Sequence, residues 1–336
     1  MKILFVHDNS WVCQSLAKAL NKRGHISRVV TNMHSATWNY GSECIVDTID
    51  TYKLMPTLKS IFANKDVDLI NSNDYTSWVG AEISRKVLGL SHVVTLHGSD
   101  MRHLMEGMTP AFKRAFLIRM LKAADIILAT TPDLLQYSQV IGKQISHLPL
   151  PINTEMFSDH ASKNEMLFGD PVIFSPTRLQ RIKGARNIVR ILEKMVKAYS
   201  HSHVYQVEWG DPEYISLLSS KVPSKNLTFV RFLPRDVLPS WYVSVDVVIG
   251  QMGIGILSNI ELEAMSCKTP VVVYDKYYGY GCPFRDPESA YEMAHKVVTD
   301  RIFRRSLVEK GSRIIHGKHD MERVAELYLK YVRELV

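Results

Sequence analysis

Arg178 and Lys183, within Pro176-Thr177-Arg178-Leu179-Gln180-Arg181-Ile182-Lys183-Gly184, place two fixed cations in the loop after the apolar run Val172–Ser175. Cations at the carboxyl end of a strand suit an anionic ligand, and their benefit grows as charge develops on a departing diphosphate. Farther on, the Gly-rich run Gly250-Gln251-Met252-Gly253-Ile254-Gly255 precedes Ser258, and Ser258 with Glu261 three residues later has the spacing of a capping box. Glycines let backbone approach a ligand, and the helix start behind them offers unpaired N–H groups at the positive end of its dipole. Gly253, Gly255, Ser258 and Asn259 therefore read as an anion site. Glu263 sits one turn inside that helix, where a carboxylate does not hold a phosphate but is placed to accept hydrogen bonds from sugar hydroxyls. His97 directly follows the buried run Val93–Leu96, and Gly98 beside it permits close backbone approach. Asp100 either caps the next helix or meets a substrate. After the first apolar run, Asn9 and Ser10 in His7-Asp8-Asn9-Ser10-Trp11 can cap a helix, and Trp11 either packs or meets a bulky or planar substrate.

The elements that must position these groups alternate along the chain. Lys2–Val6, Arg28–Thr31, Asp68–Asn71, Val93–Leu96 and Asp125–Thr130 read as strands, with a helix over Trp11–Asn21 ended by Arg23-Gly24-His25. The proline-rich His147–Thr154 and the polar stretch Ser158–Asn164 read as a linker. The plan then begins again with strands at Val172–Ser175, Val204–Trp209, Leu227–Val230 and Asp246–Ile249, and a helix over Asn187–Tyr199. Apolar strands separated by helices predict parallel sheets covered on both faces, in an α/β chain of two Rossmann-like domains facing each other across a cleft. The expected domains are residues 1–155 and 156–320, followed by a final helix over 321–336 with an apolar stripe at Val324, Leu327, Tyr328, Tyr331 and Leu335. At 336 residues the chain has the length of two domains, and 46% hydrophobic residues supply two cores.

The segment Glu263-Ala264-Met265-Ser266-Cys267-Lys268-Thr269-Pro270-Val271 resembles the signature of retaining glycosyltransferases of family 4, which have the GT-B fold. His97-Gly98-Ser99-Asp100 and the Arg178…Lys183-Gly184 pair are similar to that family's earlier motifs, in the same order. The family carries two glutamates eight positions apart; Glu263 matches the second, and Gly255 stands where the first would be. His7–Trp11 likewise stands where the family has a Gly-Gly pair. The resemblance implies a GT-B enzyme whose C-terminal helix crosses back to the first domain. In it Arg178 and Lys183 clamp the donor diphosphate, Glu263 binds the ribose, and His97 contacts the donor sugar. Phe232 and Leu233 resemble the segment whose backbone meets the nucleobase, and Asn9, Ser10, Trp11 and Asp100 fall on the acceptor side. The implied reaction is retaining transfer of a sugar from a nucleoside diphosphate to a glycan, a lipid-linked molecule or a small molecule.

Other chemistries find little support. Asp66-Val67-Asp68 leads into a buried strand rather than a loop tip, and no Gly-x-Ser-x-Gly elbow, His-Glu-x-x-His or Walker loop occurs, so neither a metal nor a cofactor is expected. The net charge of +7 suits anionic partners, but no nucleic-acid-binding signature accompanies it. Cys13, Cys44, Cys267 and Cys282 lack metal-ligand spacing and read as reduced thiols. With no run of about 18 apolar residues and no secretory signal, a cytoplasmic protein is expected. Ala111–Lys122 sets Lys113, Arg114, Arg119 and Lys122 among apolar residues; it is either an ordinary core helix or a basic amphipathic segment resting on anionic lipid at the inner membrane surface. Two rival functions remain: a nucleotide-sugar 2-epimerase of the same fold, and a non-catalytic sugar-nucleotide-binding subunit.

Overall fold

The computed structural model describes residues 1–8, 11–32, 45–106, 109–231 and 233–335. The chain divides into two compact units, Met1–Pro151 with His319–Val336, and Ile152–Lys318. The first unit holds the strands β1 (Lys2–Val6), β2 (Ile26–Thr31), β3 (Ile45–Thr48), β4 (Leu69–Ser72), β5 (Ser91–Leu96), β6 (Ile126–Ala129) and β7 (Ile145–His147). They form one parallel sheet in the order β3-β2-β1-β4-β5-β6-β7, with Phe5 opposite Val29 on one side and Asn71 on the other.

Successive side chains of β1 point to opposite faces. Ile3 and Phe5 join a core with Leu16 and Leu20 of the helix Val12–Lys22, whereas Leu4 and Val6 pack with Ile61, Ile70 and Ala81. The final helix, Met321–Val332, completes the first of these cores: Val324, Tyr328 and Val332 are buried there, and Leu327, Tyr331 and Leu335 pack at its edge. Polar bonds hold it to the same sheet. Asn71 Nδ2 donates to the Tyr328 hydroxyl at 3.1 Å, and Arg23 pairs with Glu322 and Glu326 at 3.1 and 2.9 Å. The C-terminal helix therefore belongs to the first unit.

In the second unit β8 (Val172–Ser175), β9 (His203–Val207), β10 (Leu227–Val230), β11 (Val247–Ile249) and β12 (Val271–Val272) form a parallel sheet in the order β10-β9-β8-β11-β12. The helix Ala185–Ala198 turns Ile188, Ile191, Leu192 and Met195 inward at helical spacing, while its charged residues stay outside. Both sheets are fully parallel with intervening helices, which is the doubly wound α/β plan, once in each unit.

Candidate active site

In the second unit β8 and β11 are neighbours from which the chain departs to opposite sides, so their carboxyl ends frame a switch point where ligands of such sheets bind. The loop after β8 carries Arg178 and Lys183, and the loop after β11 carries Gly250–Ser258. Two glycines bring them into backbone contact: a Cβ on Gly184 would collide with the Met252 carbonyl, and one on Gly253 with the Ile182 carbonyl. The Met252 N–H donates to the Lys183 carbonyl across the same contact, at 2.9 Å. Arg178 lies over Trp209, its guanidinium carbon 3.7 Å from the ring centroid. Leu179 N–H to Trp209 O and Asp211 N–H to Leu179 O, each 2.9 Å, fix the two loops that make this stack. Burial pushes the Arg178 pKa below its ordinary value while the charge of Asp211 opposes it. Arg181 lines a surface pocket together with Gly184, Arg186 and Arg285.

The Gly-rich loop is stitched from within. Buried Gln251 accepts from the N–H groups of Gly253 and Ile254 at 3.0 and 2.7 Å, and its Nε2 donates to Ile256 O at 2.6 Å. Buried Glu261 accepts from Gln251 N–H and, closing the capping box, from Ser258 N–H, both at 2.8 Å. The Gly253 N–H thus serves the loop itself, and Gly253 contributes to the site by close packing rather than as an open donor. The loop leads into the helix Asn259–Ser266, with Ser258 at its N-cap. Glu263 is only 3% exposed, and its Oε1 accepts from the Arg235 guanidinium, which lies over the Phe157 ring. Burial pushes the Glu263 pKa up to about 7, and Arg235 pulls the other way. Leu233 is partly buried two residues before Arg235; Phe232 lies outside the described residues.

In the first unit the carboxyl ends of β1, β4 and β5 converge. Asn73 donates through Nδ2 to the carbonyls of Val6 and Asn71, both at 3.2 Å, which turns its Oδ1 toward His97 Nε2 at 2.8 Å. That orientation assigns the proton to Nε2. Burial pushes the His97 pKa down to about 3, helped by the charge of His7, so the ring is neutral near pH 7. The Asp100 carboxylate is used by its own turn: it accepts from the N–H groups of His97, Gly98 and Met101 at 3.2, 2.8 and 2.7 Å. Asp100 is the second residue of the helix Ser99–Met105, whose N-cap position is Gly98, so these bonds brace the turn into that helix. Trp11 takes a left-handed conformation, φ 62°, at the start of the helix Val12–Lys22. Asn9 and Ser10 lie outside the described residues, and it is Asp8 that accepts from the first helical N–H groups, those of Cys13 and Gln14, at 2.9 and 3.2 Å.

Residues 10–156, most of the first unit, match the family model described as Glycosyltransferase Family 4. The chain is a glycosyltransferase with a family 4 domain. Solved structures extend the likeness of fold to the second unit. Sucrose-phosphate synthase from Thermosynechococcus elongatus superposes with TM-score 0.79 at 15% identity, covering 100% of this chain and 99% of that one. HepE of Anabaena in complex with UDP-glucose gives 0.78 at 15% identity, over 99% and 100% of the two chains. A putative UDP-N-acetylglucosamine 2-epimerase from Listeria monocytogenes gives 0.69 at 12% identity, over 99% and 96%. No curated protein matches the sequence. The fold is GT-B.

Three members of this glycosyltransferase's candidate site escape a reading of the sequence: Gln251, Asn73 and Arg235. Gln251 stands inside the Gly-rich run and is readable only as a loop residue, yet it orders that loop. Asn73 has a weak signal, a polar residue immediately after a buried strand. Arg235 has none, because its partner is 28 positions away. Among the described residues no cluster of three or more His, Cys, Asp or Glu side chains assembles, and no helix is long and apolar enough to cross a membrane.

Proposed function

We propose that the protein transfers a sugar from a nucleoside diphosphate to an acceptor with retention of configuration and without a metal ion. The observation that carries this reading is the backbone contact between the loop that bears the cations Arg178 and Lys183 and the Gly-rich loop that leads into a helix start. There the two cations hold the diphosphate and stabilise the charge it gains as the glycosidic bond breaks, the task a metal performs elsewhere. The acceptor hydroxyl adds on the face the diphosphate leaves, and a diphosphate oxygen takes its proton. Glu263 accepts from the ribose hydroxyls while Arg235 holds its other oxygen. HepE was solved with UDP-glucose, which supports a nucleotide-sugar donor here.

A lipid-linked acceptor fits the helix Ala111–Ala123, where Phe112 and Phe116 are 81% and 48% exposed, with Lys113, Arg119 and Lys122 exposed around them. Two aromatic side chains in water beside cations match the interface of an anionic bilayer. The likeness to a putative 2-epimerase keeps that chemistry as a second reading. Incubation with labelled nucleotide sugars separates them. Release of nucleoside diphosphate with transfer or slow hydrolysis is the expected result; isomerised donor without release, or binding alone, would overturn it.

A further inference from the structure

Resting on the donor-site reading above, we propose that the donor sugar carries an anionic substituent of the uronic-acid class and that Lys276 recognises it. A sugar lies one bond beyond the diphosphate. With the diphosphate at Arg178, Lys183 and the start of the helix Asn259–Ser266, the sugar rests against the loop Gly253–Ser258 and whatever stands on it.

Lys276 stands on it. Its N–H donates to the Gly255 carbonyl at 3.0 Å. Gly255 has φ +81°, and a Cβ there would lie 2.9 Å from Lys276 Cγ and 3.0 Å from Tyr274 Cε1, so the lysine stem fills the space a side chain would need. The ammonium sits 5.5 Å from the centroid of the Tyr274 ring. The turn that presents it is fixed: the Asp275 carboxylate accepts from the N–H groups of Tyr277, Tyr278 and Tyr280 at 2.9, 3.1 and 2.7 Å. Tyr274 N–H donates to the Gln251 carbonyl at 3.1 Å, joining this turn to the Gly-rich loop.

The charges around it point one way. Asp275 serves its turn, Glu261 serves Gln251 and Ser258, and Glu263 is held by Arg235. Each nearby carboxylate is engaged internally, whereas Lys276 is exposed and among the described residues forms no ion pair. An ammonium has three donors and no acceptor, so it matches a carboxylate better than a hydroxyl, which needs both.

Calorimetry and nucleoside diphosphate release, run on the full chain with UDP-glucuronic acid against UDP-glucose and GDP-mannuronic acid against GDP-mannose, test this. The wild type is expected to prefer the acidic member of the pair it uses by roughly tenfold, the scale of one charge-assisted hydrogen bond. Lys276→Ala is expected to abolish that preference while leaving free UDP or GDP binding unchanged. Equal or better use of the neutral sugar by the wild type would overturn the inference and leave the transferase reading intact. So would a Lys276→Ala variant that loses free nucleotide and both sugars alike, since Lys276 would then serve the diphosphate. Failure of the wild type to bind any of the four donors or either free nucleotide would overturn both.

Discussion

Glu263 and Arg235 are both almost fully buried and form an ion pair. Replacing Glu263 by Gln leaves a buried guanidinium without its anion, a change that costs about 3–5 kcal/mol in comparable pairs. Denaturant unfolding without ligand should show that loss for Glu263→Gln and a partial recovery for the double variant Glu263→Gln with Arg235→Gln. An unchanged midpoint in the single variant would contradict the pairing. Glu263 itself is legible in the sequence, since the Glu-Ala-Met run and the capping residues around it are local. Arg235 is not, because only the packing of separate elements brings it to Glu263. The same holds for Asn73 and His97, whose bond depends on β4 and β5 being neighbours in the sheet. Gln251 is masked for another reason: a glutamine in a loop normally means solvent, and nothing local shows that its amide replaces a ligand as partner of the loop N–H groups.

Elements with an apolar run or a clear apolar stripe, such as the final helix Met321–Val332, are legible, and those without either are not. β1, β5, β8 and β11 follow from runs of buried residues. β3, Ile-Val-Asp-Thr at the sheet edge, mixes polar and apolar residues, and β7 has three residues, too few for any period to show. The helix Ala111–Ala123 shows the limit from the other side, because its sequence is compatible with a core helix or a membrane-facing one. Leu117 and Leu121 are buried against the sheet, as a core helix requires, yet Phe112 and Phe116 remain outside. The inner face is that of a core helix, and the outer face carries the two exposed aromatics. Vesicle flotation measures the outer face: binding to anionic but not neutral vesicles, lost at high salt and on replacing Lys113 and Arg119 with glutamate, is the expected result. Absence from every vesicle fraction at low salt would contradict the membrane contact and point to a freely diffusing acceptor.

For the whole molecule, the two-unit plan was readable from the repeated strand–helix alternation and the proline-rich segment between its halves. Its stability should fall in acid through groups of the first unit. Glu82 is buried, which would raise its pKa, but the nearby His92 and two hydrogen bonds from Arg85 more than offset this and hold it down to about 2. The unfolded chain therefore takes up a proton at Glu82 that the native one refuses, so the stabilisation is present above about pH 4.5 and lost as pH falls toward 2. His97, neutral in the fold down to about pH 3, acts in the same direction, its contribution lost as pH falls below about 6.5. Glu82→Gln should flatten the lower part of the stability profile, and His97→Asn the upper; profiles parallel to wild type would contradict these assignments. In the proposed reaction the loop after β8 holds a departing diphosphate, and Lys183 is its most direct test. Turnover of Lys183→Ala should fall by roughly two to three orders of magnitude with an unchanged unfolding midpoint, the scale of removing one preorganised electrostatic stabiliser. A folded Lys183→Ala enzyme that turns over near the wild-type rate would contradict the account.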